Sequence, residues 1–321
     1  AERRAMAVLL TRVTGRQQAA TYPELAPLVS SASSLVTSYA NLVDNRAQVR
    51  FNANEVNRRL QSLNFPIWGE ERPSTLLWLA VEFEDGQRAE LMAADAAGRS
   101  EPGPLVGQAS NPLLPDDQAV FDFFAEAALA AAYERGLPLV LPRLDSQDRS
   151  LVRFADVWGG FDGFVEIAAE RYGADGILIA RARMTEIGPE LRWTSIVGDR
   201  RQALVTQSVR SGIDWLADQY AAEYTVTGGA RVTWITVQDV ESWQDFGRIW
   251  SFLETRSVID SVDLDSVIGS EYVFRVVTRA DDALLERILT LDGSLAAEPA
   301  DGDFGSQGLV FAPAWRPAVP Q

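Results

Sequence analysis

The 321-residue sequence predicts a protein of mixed α/β and α+β class built in three parts. Three observations predict it. Helical and strand-like hydrophobic periods alternate along the chain, and several short apolar runs have no polar face, as in strands covered on both sides. Gly or Pro punctuates most changes of period. The length also exceeds what one hydrophobic core usually serves.

Ala5, Val8, Leu9 and Val13 recur at helical spacing and stop at Gly15, which predicts a first helix. After a stretch punctuated by Pro23 and Pro27, Ser34 to Leu42 and Ala47 to Phe51 read as two strands about Asp44-Asn45, a hairpin signal. Asn52 caps the next helix, whose stripe is Val56, Leu60 and Leu63. Residues 1–68 therefore read as a small αββα unit.

Residues 69–227 read as a layered α/β domain. Leu76 to Val81 is apolar on both faces, as in a central strand. Residues 92–117, rich in Gly, Pro, Ser and Ala, read as a surface insertion. Asp116 or Asp117 caps a long helix to Arg135, and Leu137 to Pro142 supplies the next buried strand. A helix through Val165 and Ala169 ends at Gly173. Strands follow at Gly176 to Arg183, Leu191 to Val197 and Ala203 to Thr206, and a helix through Val209, Ile213, Leu216 and Tyr220 closes the domain.

Gly228-Gly229 reads as a hinge into a domain over 228–321. Strand Val232 to Val240, helix Trp243 to Thr255, strands Val258 to Asp265 and Tyr272 to Thr278, helix Ala283 to Leu291 and a strand at Leu295 give the βαββαβ order of a ferredoxin-like unit. Leu309 to Phe311 and Trp315 are apolar enough to dock back as a strand.

A hydrophobic content of 47%, with 9 Trp and 14 Phe, can fill such cores, and the mean hydropathy is −0.06. The longest apolar stretches, such as Phe123 to Tyr133, fall well short of the roughly 20 residues a bilayer span needs, so no transmembrane segment is expected. The net charge of −16 repels a phosphate backbone, which argues against a nucleic-acid partner. Charge is uneven: residues 1–68 carry 8 Arg against 4 acids, and residues 231–298 carry 6 Arg against 13. The first residues enter a helical pattern directly, so any targeting peptide is expected to have been removed or never present.

The chain has no Cys, no His and no Lys. That inventory removes Ser-His and Cys-His nucleophile pairs, ordinary zinc sites, Schiff bases and the lysine of a phosphate-binding loop. Carboxylate chemistry and hard-cation binding remain. No cofactor is implied. A chain without cysteine suits reducing and oxidising compartments alike.

The run Arg-Gly-Leu-Pro-Leu-Val-Leu-Pro ending at Pro142, then Leu144-Asp145, then Phe154-Ala-Asp-Val-Trp-Gly-Gly-Phe161, resembles the bacterial family of domain of unknown function 2066. Arg12 to Gly15, Pro66 to Trp68 and Tyr172 to Asp175 fit the same pattern. The resemblance implies export to the periplasm of Gram-negative bacteria and supplies no catalytic residue. Tyr172 to Ala180 is also similar to the α/β domains of bacterial envelope adaptors, which bind proteins.

Phe154, Val157, Trp158 and Phe161 share one helical face, and Asp162 is placed to cap the next helix. The face is either a core staple or an aromatic wall beside a pocket, with Arg153 and Asp156 pointing inward. Asp145, Asp148 and Asp156 follow a central strand, where open α/β sheets bind ligands, and could hold a hard cation or act as an acid and base pair. Loop aspartates also serve as caps. Asp260, Asp263 and Asp265 are spaced like a calcium loop but lack its glycine. In the last domain Trp243, Phe246, Trp250 and Leu253 form the buried face of a helix. The far side of the sheet, with Thr233 and Ile235 beside Val273 and Arg275, is expected to dock a partner.

Two expectations follow. One is a non-catalytic periplasmic binding or adaptor protein that docks to a membrane or envelope protein. The alternative is a carboxylate-based hydrolase or hard-metal enzyme centred on Asp145, Asp148 and Asp156.

Overall fold

The fold is that of a computed structural model, which describes residues 2–41, 47–93, 106–109, 115–299 and 308–315. It is of mixed α/β class. The chain opens with α1 (Glu2–Thr14) and α2 (Ala26–Ser30), followed by the antiparallel pair β1 (Val36–Asn41) and β2 (Ala47–Phe51). The turn expected at Asp44-Asn45 lies outside the described residues. Next come α3 (Ala53–Ser62) and β3 (Ile67–Trp68). Asn52 caps α3 as expected, its Oδ1 accepting the Glu55 N–H at 3.1 Å. Met6, Leu10, Leu25, Leu28, Val56 and Leu60 form one core. Leu63 is not part of it. The helix has ended, and this residue is 41% exposed at the C-cap.

A sheet follows, made by β4 (Thr75–Glu82), β5 (Arg88–Met92), β6 (Val106–Ala109), β7 (Leu139–Val140), β8 (Gly176–Thr185), β9 (Gly188–Val197) and β10 (Arg200–Thr206). Between and after these strands run α4 (Pro115–Arg135), α5 (Ser146–Leu151), α6 (Phe154–Gly159), α7 (Asp162–Ala169) and α8 (Val209–Tyr224). The strand order is β10-β9-β8-β4-β5-β6, with β7 beside β4. Central β4 runs parallel to β8, and Leu76 to Val81 are fully buried. One face of the sheet carries Leu76, Trp78, Ala80, Ile177, Ile179 and Ile196, packed against Val152, Val157, Val165 and Ala168 from the α5 to α7 segment. On the other face α8 lies so close to Trp193 that a Cβ at Gly212 would fall 2.1 Å from the indole.

Three expectations for this region need correction. Residues 92–117 are not wholly an insertion, because Val106–Ala109 pairs with β5 as an edge strand. A short antiparallel edge needs only backbone hydrogen bonds, so it leaves little hydrophobic signature. Helix α4 starts at Pro115, ahead of both proposed caps. Only two residues of the Leu137 to Pro142 run pair with β4, since the flanking prolines have no N–H to donate.

The last segment holds β11 (Thr225–Val226), β12 (Arg231–Val237), α9 (Trp243–Glu254), β13 (Ile259–Ile268), β14 (Glu271–Thr278), α10 (Asp282–Thr290), β15 (Leu295–Ala297) and β16 (Leu309–Pro313). Strand β11 pairs with β3. The larger sheet has the order β13-β14-β12-β16-β15. The βαββαβ order is present, but the tail strand β16 sits between β12, to which it is parallel, and β15, to which it is antiparallel. The fourth strand of the ferredoxin-like unit is thus displaced one place from the first.

The chain divides into two compact units, Pro73–Tyr220 and the combination of Ala1–Arg72 with Ala221–Gln321.

Candidate functional site

The loop after β7 turns through Leu144, a non-glycine residue at φ 50°. A buried carboxylate holds this strained turn. Asp148, with no exposed surface, accepts the Leu144 N–H at 2.8 Å, the Tyr172 hydroxyl at 2.5 Å and Arg171 Nη1 at 2.8 Å. Asp145 caps α5 through the N–H groups of Gln147 and Asp148, and both its oxygens face the Arg171 guanidinium at 2.8 and 2.9 Å. The Arg171 guanidinium, helped by the Asp148 N–H, holds the Asp145 carboxyl well below the usual carboxylate range. Burial, then the hydrogen bond to Asp148, pushes the Tyr172 hydroxyl up to about 12. Both aspartates are engaged in fixing the loop. Asp156 is engaged elsewhere, its Oδ2 accepting the Arg153 N–H at 2.9 Å at the start of α6. Arg153 is exposed. Among the described residues no group of three or more carboxylates is arranged to hold a metal ion.

The aromatic face of α6 is split. Val157 is in the core, and Phe154 and Trp158 stack at 5.5 Å, both half-buried. Phe161 is 61% exposed, because Gly160 at φ 79° ends the helix and turns the chain before it. Asp162 is the first residue of α7 rather than its cap. Its buried carboxylate pairs with Arg181 and Arg201. Trp158 borders a cavity of about 140 Å³ whose other walls are Arg181, Arg183, Glu190 and Arg192.

The four residues expected to form a docking face lie on two faces. Register pairs Thr233 with Val276 and Ile235 with Phe274, and all four of these side chains are buried. Val273 and Arg275 pair with Thr236 and Trp234 on the opposite face. The expected grouping shifted one strand by a single residue, which exchanges its faces. Trp243 is 75% exposed rather than part of a buried stripe, and α9 buries Ile249 and Leu253. Asp260, Asp263 and Asp265 lie on edge strand β13, not in a loop, and the first two pair with Arg279 and Arg275.

A second recess, which the sequence did not lead one to expect, lies among residues of the first and last segments. A cleft of about 360 Å³ has in its lining Asn54, Asn57, Arg58, Gln61, Asn64, Phe65 and Ile67 from one segment and Val226, Ser257, Val258, Asp260 and Arg279 from the other. Residues 54, 57 and 61 share one face of α3. Asn64 follows in the left-handed conformation at φ 56°, and its N–H donates to the Gln61 carbonyl while the Phe65 N–H donates to that of Leu60. These two bonds are those of a Schellman ending. They aim the fourth carboxamide and the Phe65 ring at the same recess. The rim is fixed by Glu71, whose Oε1 accepts the Ser257 N–H at 2.7 Å, and by Gly69, where a Cβ would fall 2.2 Å from Ser257 Oγ. The only trace of this site in the sequence is the spacing of carboxamides along α3, which also fits a solvated helix face.

A family model described as a domain of unknown function (DUF8605) matches residues 1–69. This overturns the resemblance to domain of unknown function 2066, most of whose fragments lie beyond the matched segment. Those fragments are a proline-flanked strand, a helix ended by glycine and a turn, forms that similar backbone constraints produce in unrelated chains. With that resemblance goes the ground for a Gram-negative periplasm and an envelope partner. No curated protein and no solved structure matches the chain.

Proposed function

We propose that the protein is a non-catalytic binding protein whose cleft beside α3 receives an extended polypeptide segment of a partner. The observation that carries this reading is the set of four carboxamides, Asn54, Asn57, Gln61 and Asn64, converging on one recess. Each side chain both donates and accepts, as a peptide group does. Among the described residues, β13 is the edge of its sheet, and Asp260 of that strand lines the recess. A strand edge offers unpaired backbone groups to an added chain. Phe65, held edge-on to Tyr22 at 5.5 Å, adds an apolar anchor. Ser257, in the lining, donates its hydroxyl to the Glu71 carboxylate at the rim, and the carboxylate of the lining, Asp260, faces Arg279 at 3.4 Å.

Panning the full chain against a random peptide library displayed on phage tests the reading. We expect peptides that bind the wild type and lose about tenfold or more in affinity to an Asn57→Ala/Gln61→Ala variant with unchanged melting temperature, the scale of one or two lost hydrogen bonds. No enrichment, or selected peptides indifferent to the two substitutions, would overturn it.

A further inference from the structure

The sheet face under α6 changes character along its length. Beneath α5 to α7 it is apolar. Toward the ends of β4 and β8 it becomes a charged lattice that the register defines. Glu82 of β4 lies opposite both Arg88 of β5 and Arg183 of β8, and Arg183 lies opposite Glu190 of β9. One row inward, Arg181 lies directly opposite Arg192. Like charges at paired positions oppose sheet formation. Both residues of this pair line the cavity beside Trp158, where an anion would relieve their repulsion.

The arginines differ in how firmly they are held. Arg181 is fixed, bonding the Val157 carbonyl, Asp162 and, at 3.2 Å, Thr194 Oγ1. Arg183 reaches Glu82 only at 3.3 Å and lies over the Trp158 ring at 5.3 Å. Arg88 takes the other oxygen of Glu82 at 2.9 Å and lies over Phe154 at 4.9 Å. Arg192 meets Glu190 at 2.9 Å, with both side chains about half exposed or more. Exposed pairs of this kind are weak and exchange partners readily. Across the lattice Arg88, Arg181, Arg183, Arg192 and Arg201 face Glu82, Asp162, Glu166 and Glu190, an excess of one positive charge in a chain of net charge −16.

We propose that this cavity is a binding site for an aromatic carboxylate, a planar ring bearing one negative charge. The ring would lie along the half-buried Trp158, and a cavity of about 140 Å³ is close to the roughly 150 Å³ known to hold a benzene ring. The carboxylate would be taken by the guanidinium forks of Arg183 and Arg192, whose planar donors match it. Glu190 would give up Arg192 to the ligand. Asp145, Asp148 and Asp156 play no part.

Calorimetric titration with benzoate tests the proposal, with acetate and benzyl alcohol as probes lacking the ring or the charge. Wild-type protein should bind benzoate, and the other two probes about tenfold more weakly or worse. Arg183→Gln and Arg192→Gln, both at exposed side chains, should each weaken benzoate about tenfold at unchanged melting temperature. Glu190→Gln should tighten it, which a nonspecific charge effect on folding would not produce. The Asn57→Ala/Gln61→Ala variant should bind benzoate normally, so failure here is separable from failure of the polypeptide cleft. Absence of benzoate binding, equal binding of benzyl alcohol, or indifference to both arginine substitutions would overturn the proposal.

Discussion

Asp148 is a charge with no exposed surface, and it is stable there because three donors converge on it. Its removal leaves the Tyr172 hydroxyl and one edge of Arg171 without their acceptor, so Asp148→Ala should cost about 3 kcal/mol in a denaturant titration. Asp145 makes a pH-dependent contribution of a defined sign. Its carboxyl is depressed in the folded chain, so the stability it supplies is complete above the unfolded value near 3.9 and fades as pH falls toward the depressed one. Asp145→Asn should therefore melt lower than wild type at neutral pH, and the gap should close below about pH 4. A gap constant with pH would contradict the role given to Arg171. The sequence placed both aspartates after a strand but could not show Arg171, 23 residues further on from Asp148, closing over them. Single residues were least legible where two strands had to be aligned. Alternation in β12 and β14 is plain, yet which residues share a face depends on a register that no local pattern fixes.

Elements were read well where propensity, cap and burial agreed. Helix α3 has its Asn52 cap and α10 begins after Asp281, whose side chain accepts the Leu284 N–H at 2.8 Å. They were read poorly where pairing is carried by backbone alone, as in β6, or where an aromatic row suggested burial, as in α9. There Trp243 stacks on Phe246 at 4.8 Å while staying largely exposed. Helices α4 and α8 are tied by Arg135, which is 1% exposed and bonds Asp214 at 2.9 Å and Asp218 at 2.6 Å. Arg135→Met should destabilise by about 3 to 5 kcal/mol, because Asp214 is left buried without its cation. Asp214→Leu in the same chain should recover part of that loss in urea unfolding. At the edge of the other sheet, the part of β13 beyond the recess carries exposed Asp263 and Asp265 and a register irregularity between Leu264 and Ser266, devices that discourage edge-to-edge pairing along that stretch. Asp263→Val/Asp265→Val should self-associate in sedimentation velocity at concentrations where the wild type does not.

At the scale of the molecule, composition and period were enough for the mixed α/β class and for the order of most elements. They reached the tail strand but not its place between β12 and β15, since Leu309 to Phe311 shows apolarity but not a neighbour. Nor did they reach either recess. One is built from α3 and residues about 200 positions away in the chain, the other from α6 and two strands that follow it. Both are products of tertiary folding. Binding of a polypeptide strand in the carboxamide cleft can be read by amide hydrogen exchange on the full chain with and without a saturating peptide from the library. Slowed exchange is expected only at residues 64–69 and at 257–260, around the beginning of β13, with the Trp158 region unchanged. Slowing elsewhere with none at those two segments would contradict it.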